Sequence, residues 1–443
     1  RVLRARWHGG VAFLDLRDWF GDCQVILDRS QVDVAAWRRV LDLGDHVGVR
    51  GTVGSSRTGT RSLIAQDLTL TSKATRPLPD KWRGFSSPEK RVRQRYLDLV
   101  VNPGARQTLV QRSRAIQSVR STLLEAGYLE VETPILQTIH GGANARPFRT
   151  HMNAYDLDLY LRIAPELYLK RLLVGGVDRV FEMGRNFRNE GADATHNPEF
   201  SMLEAYHSYA DYTDMRHLTE DLIRRAVLAA TGGTTLVGTD ADGGTHIVDI
   251  AEPFGVTTVN EAISAACGRE VTADTSRDEL LAIADACDIA IEPTWTRGNV
   301  LLELYENLVE ARTIAPTFYC DFPAEVSPLT RPHRDDSRLA ERWDLVAFGA
   351  EIGTAYSEMV DPVVQRERLT EQSLLAAGGD PEAMEIDEDF LVALEHGLPP
   401  AGGLGLGLDR LVMLITHGSI RDVLAFPLVR PERTASTRMG AGA

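Results

Sequence analysis

The sequence holds few cysteines: four in 443 residues, at Cys23, Cys267, Cys287 and Cys320, with no C-x-x-C pair. This scatter excludes a disulfide framework and a zinc knuckle and points to a reduced, cytosolic setting. Long apolar runs are also missing. No stretch approaches the roughly 18 apolar residues a membrane helix needs, and the opening RVLRARWHGG has no apolar signal core. Lysine is scarce against arginine. What remains is the composition of an ordinary globular protein, 43% hydrophobic and 25% charged, too long for one core, so two or three domains are expected. The formal charge of −15 excludes a general histone-like or membrane-surface cation without excluding a local basic face. Residue 1 is Arg and falls inside a strand-like run, which suggests that the chain begins partway through a longer polypeptide.

From Arg1 to Arg76, the alternating segments VAFLDL, CQVILD, HVGVRGTV and SLIAQDLTL are separated by GG, GD and SRTGT turns, the pattern of a small antiparallel barrel. This stretch carries twelve Lys and Arg against eight Asp and no Glu, so the acidic excess lies in the rest of the chain. A small basic barrel fits an oligonucleotide-binding (OB) fold, and equally an accessory structural domain. Residues 77–100, rich in Pro, Ser and charge at their start, read as a linker. Residues 101–430 form the main domain. There Arg106 to Ala126 has helical periodicity stopped by Gly127, and YLEVETPIL follows as a strand ended at a proline. The region from about 232 to 313 looks inserted or peripheral, with helical segments at DELLAIADACDI and VLLELYENLVEAR. The tail 431–443 is small and polar and reads as disordered.

Two runs carry chemistry. The first is Phe187-Arg188-Asn189-Glu190-Gly191, then Thr195-His196-Asn197-Pro198-Glu199-Phe200 and Met202-Leu203-Glu204. A strand arginine, a polar loop and a returning aromatic strand make a hairpin able to grip a nucleotide: Arg188 can fork a phosphate and a carboxylate, and Phe200 offers a face for a base. The second is GLGLGLDR, Gly403 to Arg410, a glycine-rich strand entering an apolar helix, with Arg410 placed for a second phosphate or a purine face. Each run alone is equally a packing feature or a solvated arginine.

Taken in order, the long helix with its Pro-ended strand, the R-N-E hairpin and G-L-G-L-G-L-D-R resemble the three motifs of the class II aminoacyl-tRNA synthetases. The strings GGANARPFRTHMNAYDLDLYLRIAPELYLKRLLVGG, PTFYCDFPAEVSPLTRP and LEHGLPPAGGLGLGLDRLVMLIT look like the lysyl-tRNA synthetases of that class, nearly collinearly over the whole chain. The resemblance implies an α+β architecture: an N-terminal OB-fold β-barrel for the anticodon, and a class II catalytic domain built on a six-stranded antiparallel sheet flanked by helices. The absence of a G-x-x-x-x-G-K-[ST] loop is consistent with that nucleotide mode. The reaction implied is lysine plus ATP to lysyl-adenylate and pyrophosphate, then transfer of lysine to the 3′ end of tRNA(Lys). No nucleophile motif is needed, and none is seen.

The resemblance also implies roles. Arg188 would bridge the lysine carboxylate and the α-phosphate, Arg410 would meet the γ-phosphate, and Glu190, His196, Asn197 and Phe200 would line the ATP pocket. Asp344 and Glu351 match an acidic pair that holds Mg2+, although glutamate is the more usual residue where Asp344 stands. Glu204 and Glu358 match residues that hold the ε-ammonium, with Tyr206 supporting, while Glu166 and the Gly141-Gly142 backbone match those near the α-amino group. An aspartyl enzyme would want a cation there instead. Where the housekeeping lysyl enzymes read E-I-G-N-G-F-S-E, this chain reads Glu351 to Glu358 as E-I-G-T-A-Y-S-E. Thr354 cannot reproduce both amide hydrogen bonds of an asparagine, and Tyr356 replaces the phenylalanine. In the barrel, Phe13, Gln24 and Asp67 match anticodon-contacting positions, although Phe13 could equally be core. The helix and Pro-ended strand match the dimer motif, so a homodimer is expected.

The arginine-rich composition, the Thr354 departure and the start inside a strand bring in an alternative role. The same synthetase occurs fused to a membrane-embedded lysyltransferase domain upstream, making lysyl-phosphatidylglycerol. The chain would then lie at the cytoplasmic face of the cell membrane. A protein-modifying adenylate enzyme would lack the barrel, and a tRNA-binding relic would not keep Arg188, Glu351 and Arg410.

Overall fold

The computed structural model describes residues 1–79, 85, 87–240, 242–377 and 383–432, so all but the first two positions of the expected tail lie outside the described residues. The chain folds as two compact units, Arg1–Asn102 and Pro103 onward.

The first unit contains β1 (Val2–His8), β2 (Val11–Arg17), β3 (Asp22–Asp28), α1 (Val34–Val40), β4 (His46–Ser55) and β5 (Arg61–Ser72), hydrogen-bonded in the order β1-β2-β3-β5-β4. Period-two alternation decides the faces: Ala12 and Leu14 of β2 and Val25 and Leu27 of β3 join Val2, Val34, Ala65 and Leu68 in the core. The Val2 N–H donates to Asp45 O and the Gly44 N–H to Val2 O, curling β1 back to the start of β4. The expected all-antiparallel pattern is corrected at one junction. Strands β3 and β5 run parallel, which a connection made of a helix and a whole strand permits and a hairpin would not. Helices α2 (Pro88–Arg93) and α3 (Arg95–Val101) lie in the stretch expected as a linker and group with this unit.

The second unit opens with α4 (Pro103–Glu125), β6 (Leu129–Glu130), β7 (Leu136–Gln137), β8 (Phe148–Met152), β9 (Leu157–Leu161), α5 (Glu166–Val174), β10 (Arg179–Phe187), β11 (Glu199–Ser208) and α6 (Tyr212–Thr231). A peripheral region follows: β12 (Thr235–Thr239), β13 (Thr245–Asp249), β14 (Gly255–Thr258), α7 (Val259–Cys267), α8 (Arg277–Ala286) and α9 (Arg297–Leu308). The chain then forms β15 (Thr317–Pro323), β16 (Leu339–Ala347), β17 (Ala350–Ser357), α10 (Pro362–Ala377), α11 (Glu388–Glu395), β18 (Ala401–Gly407), α12 (Leu408–Thr416) and α13 (Ile420–Val423).

The main sheet runs β14-β15-β16-β17-β18-β11-β10-β6. Its six central strands are antiparallel, as expected, and each edge gains one short parallel strand. Helix α4 ends where Gly127, at φ +81°, turns the chain left-handed and the Tyr128 N–H returns to Leu123 O. The strand expected over YLEVETPIL is broken into β6 and β7. Between them the Thr133 N–H and hydroxyl both donate to buried Glu182, so the chain serves a carboxylate there instead of a ladder. The peripheral region has its own core of Val259, Ile263, Leu280, Leu301 and Leu304, and capping boxes start α7, α8 and α9. No helix among the described residues is long and apolar enough to cross a membrane.

Alternation along β18, AGGLGLG, positions the site. Leu404 and Leu406 enter a core shared with Val119 and Leu123 of α4, Leu222 and Ile223 of α6, and Leu411 and Val412 of α12. Gly403 and Gly405 therefore face the other side of the sheet, where their lack of side chains leaves room.

Candidate active site

That room is a cavity of about 450 Å³ whose walls include Gly142, Glu166, Arg188, Glu190, His196, Asn197, Phe200, Glu204, Tyr206, Glu351, Thr354, Tyr356 and Arg410. Residues separated by more than 200 positions thus meet because β10, β11, β17 and β18 are neighbours in one sheet.

One end of the cavity is acidic and buried. Glu166 and Glu204 are 3% and 4% exposed, and Glu358, just beneath the wall, is 1% exposed. Tyr206 Oη donates to Glu204 Oε2 at 3.0 Å, and Tyr356 Oη donates to Glu166 Oε2 at 2.8 Å. Burial, reinforced by Glu166, pushes the Glu204 carboxyl well above the usual range. Burial beside carboxylates likewise holds both tyrosines protonated. Glu358 Oε1 has no hydrogen-bond partner among the described residues. A Cβ at Gly403 would lie 1.9 Å from that oxygen, so only glycine lets the carboxylate reach the cavity floor. Gly142, at φ +85°, folds its backbone over Glu166, with room for no more than a 3.0 Å approach to Glu166 Cβ. Thr354 Oγ1 donates to Trp343 O at 3.2 Å, so its hydroxyl is already spent on the sheet.

Cations line the cavity as well. Arg188 follows β10, has a buried Nε without a hydrogen-bond partner among the described residues, and stands with its guanidinium carbon 5.1 Å from the Phe200 ring centre. Arg410, in the first turn of α12, donates to Glu351 O at 2.7 Å, and its Nη2 lies 3.2 Å from His196 Nε2. The His196 ring is oriented from behind by Asp193, which also accepts from the His196 and Thr195 N–H groups. Those donors hold Asp193 well below the usual carboxylate range. Asn197 Nδ2 donates to Glu199 O, and Glu190 Oε1 accepts from the Arg146 N–H at 3.3 Å, tying the hairpin loop to the segment before β8.

The expected metal pair is divided. Glu351 lines the cavity, whereas both Asp344 oxygens are forked by Arg342 at 3.1 and 2.8 Å. Among the described residues no group of three or more His, Cys, Asp or Glu could hold a metal by itself. Two oxygen donors still suit a cation that arrives on a polyphosphate and takes its remaining ligands from it and from water.

In the barrel, Phe13 lies between buried Ala12 and Leu14 and so points outward, with the Arg6 guanidinium carbon 5.8 Å from its ring centre. Gln24 shares that outer face, one strand over, and its Oε1 accepts from Ser62 Oγ at 2.9 Å. Asp67 is on β5, across from Arg50 at 3.9 Å.

Residues that sequence reasoning missed are Asp193, Arg342, Lys170 and Gly403 as a gap-maker. For Lys170 a signal existed: it lies one helical turn after Glu166, the spacing of an ion pair.

Comparison with known proteins bears on this geometry. Residues 87–430 match the tRNA synthetases class II (D, K and N), and residues 1–71 match the OB-fold nucleic acid binding domain. A relative from Nocardia farcinica (strain IFM 10152), named lysylphosphatidylglycerol biosynthesis bifunctional protein LysX, is 57% identical over 434 residues, 97% of this chain and 38% of its own length. Relatives of the same name from Mycobacterium sp. (strain KMS) and Mycobacterium avium (strain 104) are each 58% identical over 97% of this chain, with 39% and 37% of their lengths covered. The chain thus spans about two fifths of these relatives. An OB-fold followed by this sheet, hairpin and glycine strand, matched over 87–430, makes the chain a member of the class II tRNA synthetases.

Proposed function

We propose that the chain is a lysine–tRNA ligase, activating L-lysine with ATP and passing it to the 3′ end of tRNA(Lys). The observation that carries this reading is the pocket's charge: three buried carboxylates, Glu166, Glu204 and Glu358, gather at the cavity, with Arg188 within electrostatic reach of Glu204. Burying a substrate ammonium is costly unless carboxylates receive it. An aspartate or asparagine side chain would meet the wrong sign.

Activation brings a carboxylate onto an α-phosphate, so positioning and charge neutralisation carry the rate. Arg188 would hold the lysine carboxylate against the α-phosphate, Phe200 would stack on adenine, and Glu190, His196 and Asn197 would complete the nucleotide pocket. Arg410, oriented by Glu351 and His196, would meet the γ-phosphate. Glu204 with Tyr206, Tyr356 and Glu358 would receive the ε-ammonium, and Glu166 with the Gly142 backbone the α-ammonium. Thr354 would contribute backbone and shape. The carboxylate oxygen forms the bond to phosphorus as pyrophosphate leaves, and the terminal ribose hydroxyl then takes the acyl group as AMP leaves. Mg2+ would be held by Glu351, with Asp344 released from Arg342 or acting through water, and would offset phosphate charge.

Phe13, Gln24 and Asp67 on the basic OB unit would read the anticodon. Exposed Leu124, Leu129, Ile135 and Leu136 at the end of α4 and beyond would be covered in a homodimer. The relatives' length favours a second layer to this reading: a longer protein in which this part supplies lysyl-tRNA to a membrane lysyltransferase, placing it at the cytoplasmic membrane face. Arg188→Ala is expected to lower lysine-dependent ATP–pyrophosphate exchange by about a thousandfold or more, and near-normal exchange removes the assigned role.

A further inference from the structure

The acidic pocket contains a cation of its own. Lys170, on α5, is fully buried; its Nζ lies 2.6 Å from Glu166 Oε1 and makes an ion pair with Glu358 Oε2. We propose that Lys170 is a positioning residue, a built-in counter-ion that fixes Glu166 and Glu358 and sets the pocket charge so that an amino acid with two ammonium groups completes it. This rests on the lysine-activating reading above.

Composition makes the residue conspicuous. The chain has 48 Lys and Arg, of which only Lys73, Lys81, Lys90 and Lys170 are lysine. Several other buried carboxylates are paired with arginine, as in Arg162 with Glu182 and Arg342 with Asp344, although buried Asp45 in the first unit is held by partly exposed Lys73. Between Glu166 and Glu358 a compact ammonium stands instead, over the Tyr356 ring at 5.7 Å. Its donors reach both carboxylates at once, where a planar fork would favour one.

The charges facing this site can be counted by element. Helix α5 brings Glu166 and Lys170, β11 brings Glu204 and Tyr206, the turn after β10 brings Arg188, and β17 leads from Tyr356 to Glu358. Strand β18 contributes glycines. Arg162 is matched by Glu182, and Arg368 of α10 is turned to the carbonyls of Ser327 and Thr330, the latter bridged to Glu358. With both tyrosines protonated and all three carboxyls ionised, the form that substrate binding selects against the upward pull of burial on Glu204 and Glu358, three carboxylates face two cations, leaving one negative charge. A free amino acid with a cationic side chain carries one net positive charge and closes that balance. Without Lys170 two negative charges would remain buried. A carboxyl would then hold its proton to higher pH, and in that form it is a poor partner for an ammonium.

A pH signature follows. Burial with Glu166 raises the Glu358 carboxyl to about 8, while Lys170 pulls it down. Substrate binding selects the ionised form and releases the proton. The wild-type KM for lysine should therefore fall as pH rises and level off near that value. Lys170→Gln, one atom shorter, keeps an amide donor for a carboxylate but not the charge. It is expected to raise the lysine KM about tenfold near neutral pH and to move the levelling point up by about one pH unit or more. The KM for ATP and kcat should change much less. An unchanged lysine KM and levelling point would overturn the proposal. Absence of lysine-dependent exchange in the wild type would instead overturn the reading beneath it. Should the glutamine variant not fold, the wild type decides. Protein labelled with 13Cε-lysine has four side-chain signals, assignable by replacing Lys73, Lys81 and Lys90 with arginine. The Lys170 signal should stay in its charged position beyond about pH 10.5 and move on adding L-lysine; titration below that pH, or no response to L-lysine, contradicts the proposal.

Discussion

At the scale of one residue, Gly403 ties sequence to chemistry most tightly. A methyl there would meet Glu358 Oε1 at 1.9 Å and the Tyr206 ring at 2.7 and 3.0 Å, so both groups would have to move. Gly403→Ala is expected to cost about 1–3 kcal/mol in stability and to raise the lysine KM far more than the ATP KM. Equal effects on both, read in the same exchange assay, would contradict a local role. The motif residues could be singled out because they occur in ordered strings, and Arg188, Phe200 and Arg410 all line the cavity. Asp193 and Lys170 were not legible from residue type. An exposed loop aspartate and a helical lysine are ordinary until the fold aims one at His196 and buries the other between two carboxylates. Asp344 differs from its expected setting for a similar reason: Arg342, two residues earlier on the same strand face, claims both its oxygens.

At the scale of elements, the long helix expected over Arg106 to Ala126 occupies Pro103–Glu125, with Gly127 as its stop, because periodicity and a C-terminal glycine are local signals. The strand after it could not be drawn from local pattern, since its middle serves a distant partner. Arg162 and Glu182 are both buried and ion-paired, and Thr133 donates to the same carboxylate. This knot joins the end of β9, the centre of β10 and the broken strand β6–β7, and Gly184 makes space for it, since a Cβ there would lie 2.2 Å from Arg162 Nη2. Arg162→Met leaves Glu182 buried without its cation and is expected to cost about 3–5 kcal/mol. The Arg162→Met/Glu182→Gln double variant should cost less, as urea denaturation can measure. Additive losses would mean that the pair is not the source of the stability.

At the scale of the whole molecule, the net charge of −15 conceals an unequal distribution: the first 76 residues carry a basic excess, and the acidic body holds the carboxylate pocket. The two-unit organisation was legible because a period-two pattern gives way to helical periods. The parallel β3–β5 junction and the two edge strands of the main sheet were not, since pairing between distant strands leaves no local trace. The central claim concerns which amino acid the acidic pocket accepts. The most direct measurement is amino-acid-dependent ATP–pyrophosphate exchange with L-lysine, L-aspartate and L-asparagine, each supplied separately to the purified protein. The account predicts exchange with lysine and background levels with the other two. Exchange supported by aspartate or asparagine as well as by lysine, or by none of the three, would contradict it.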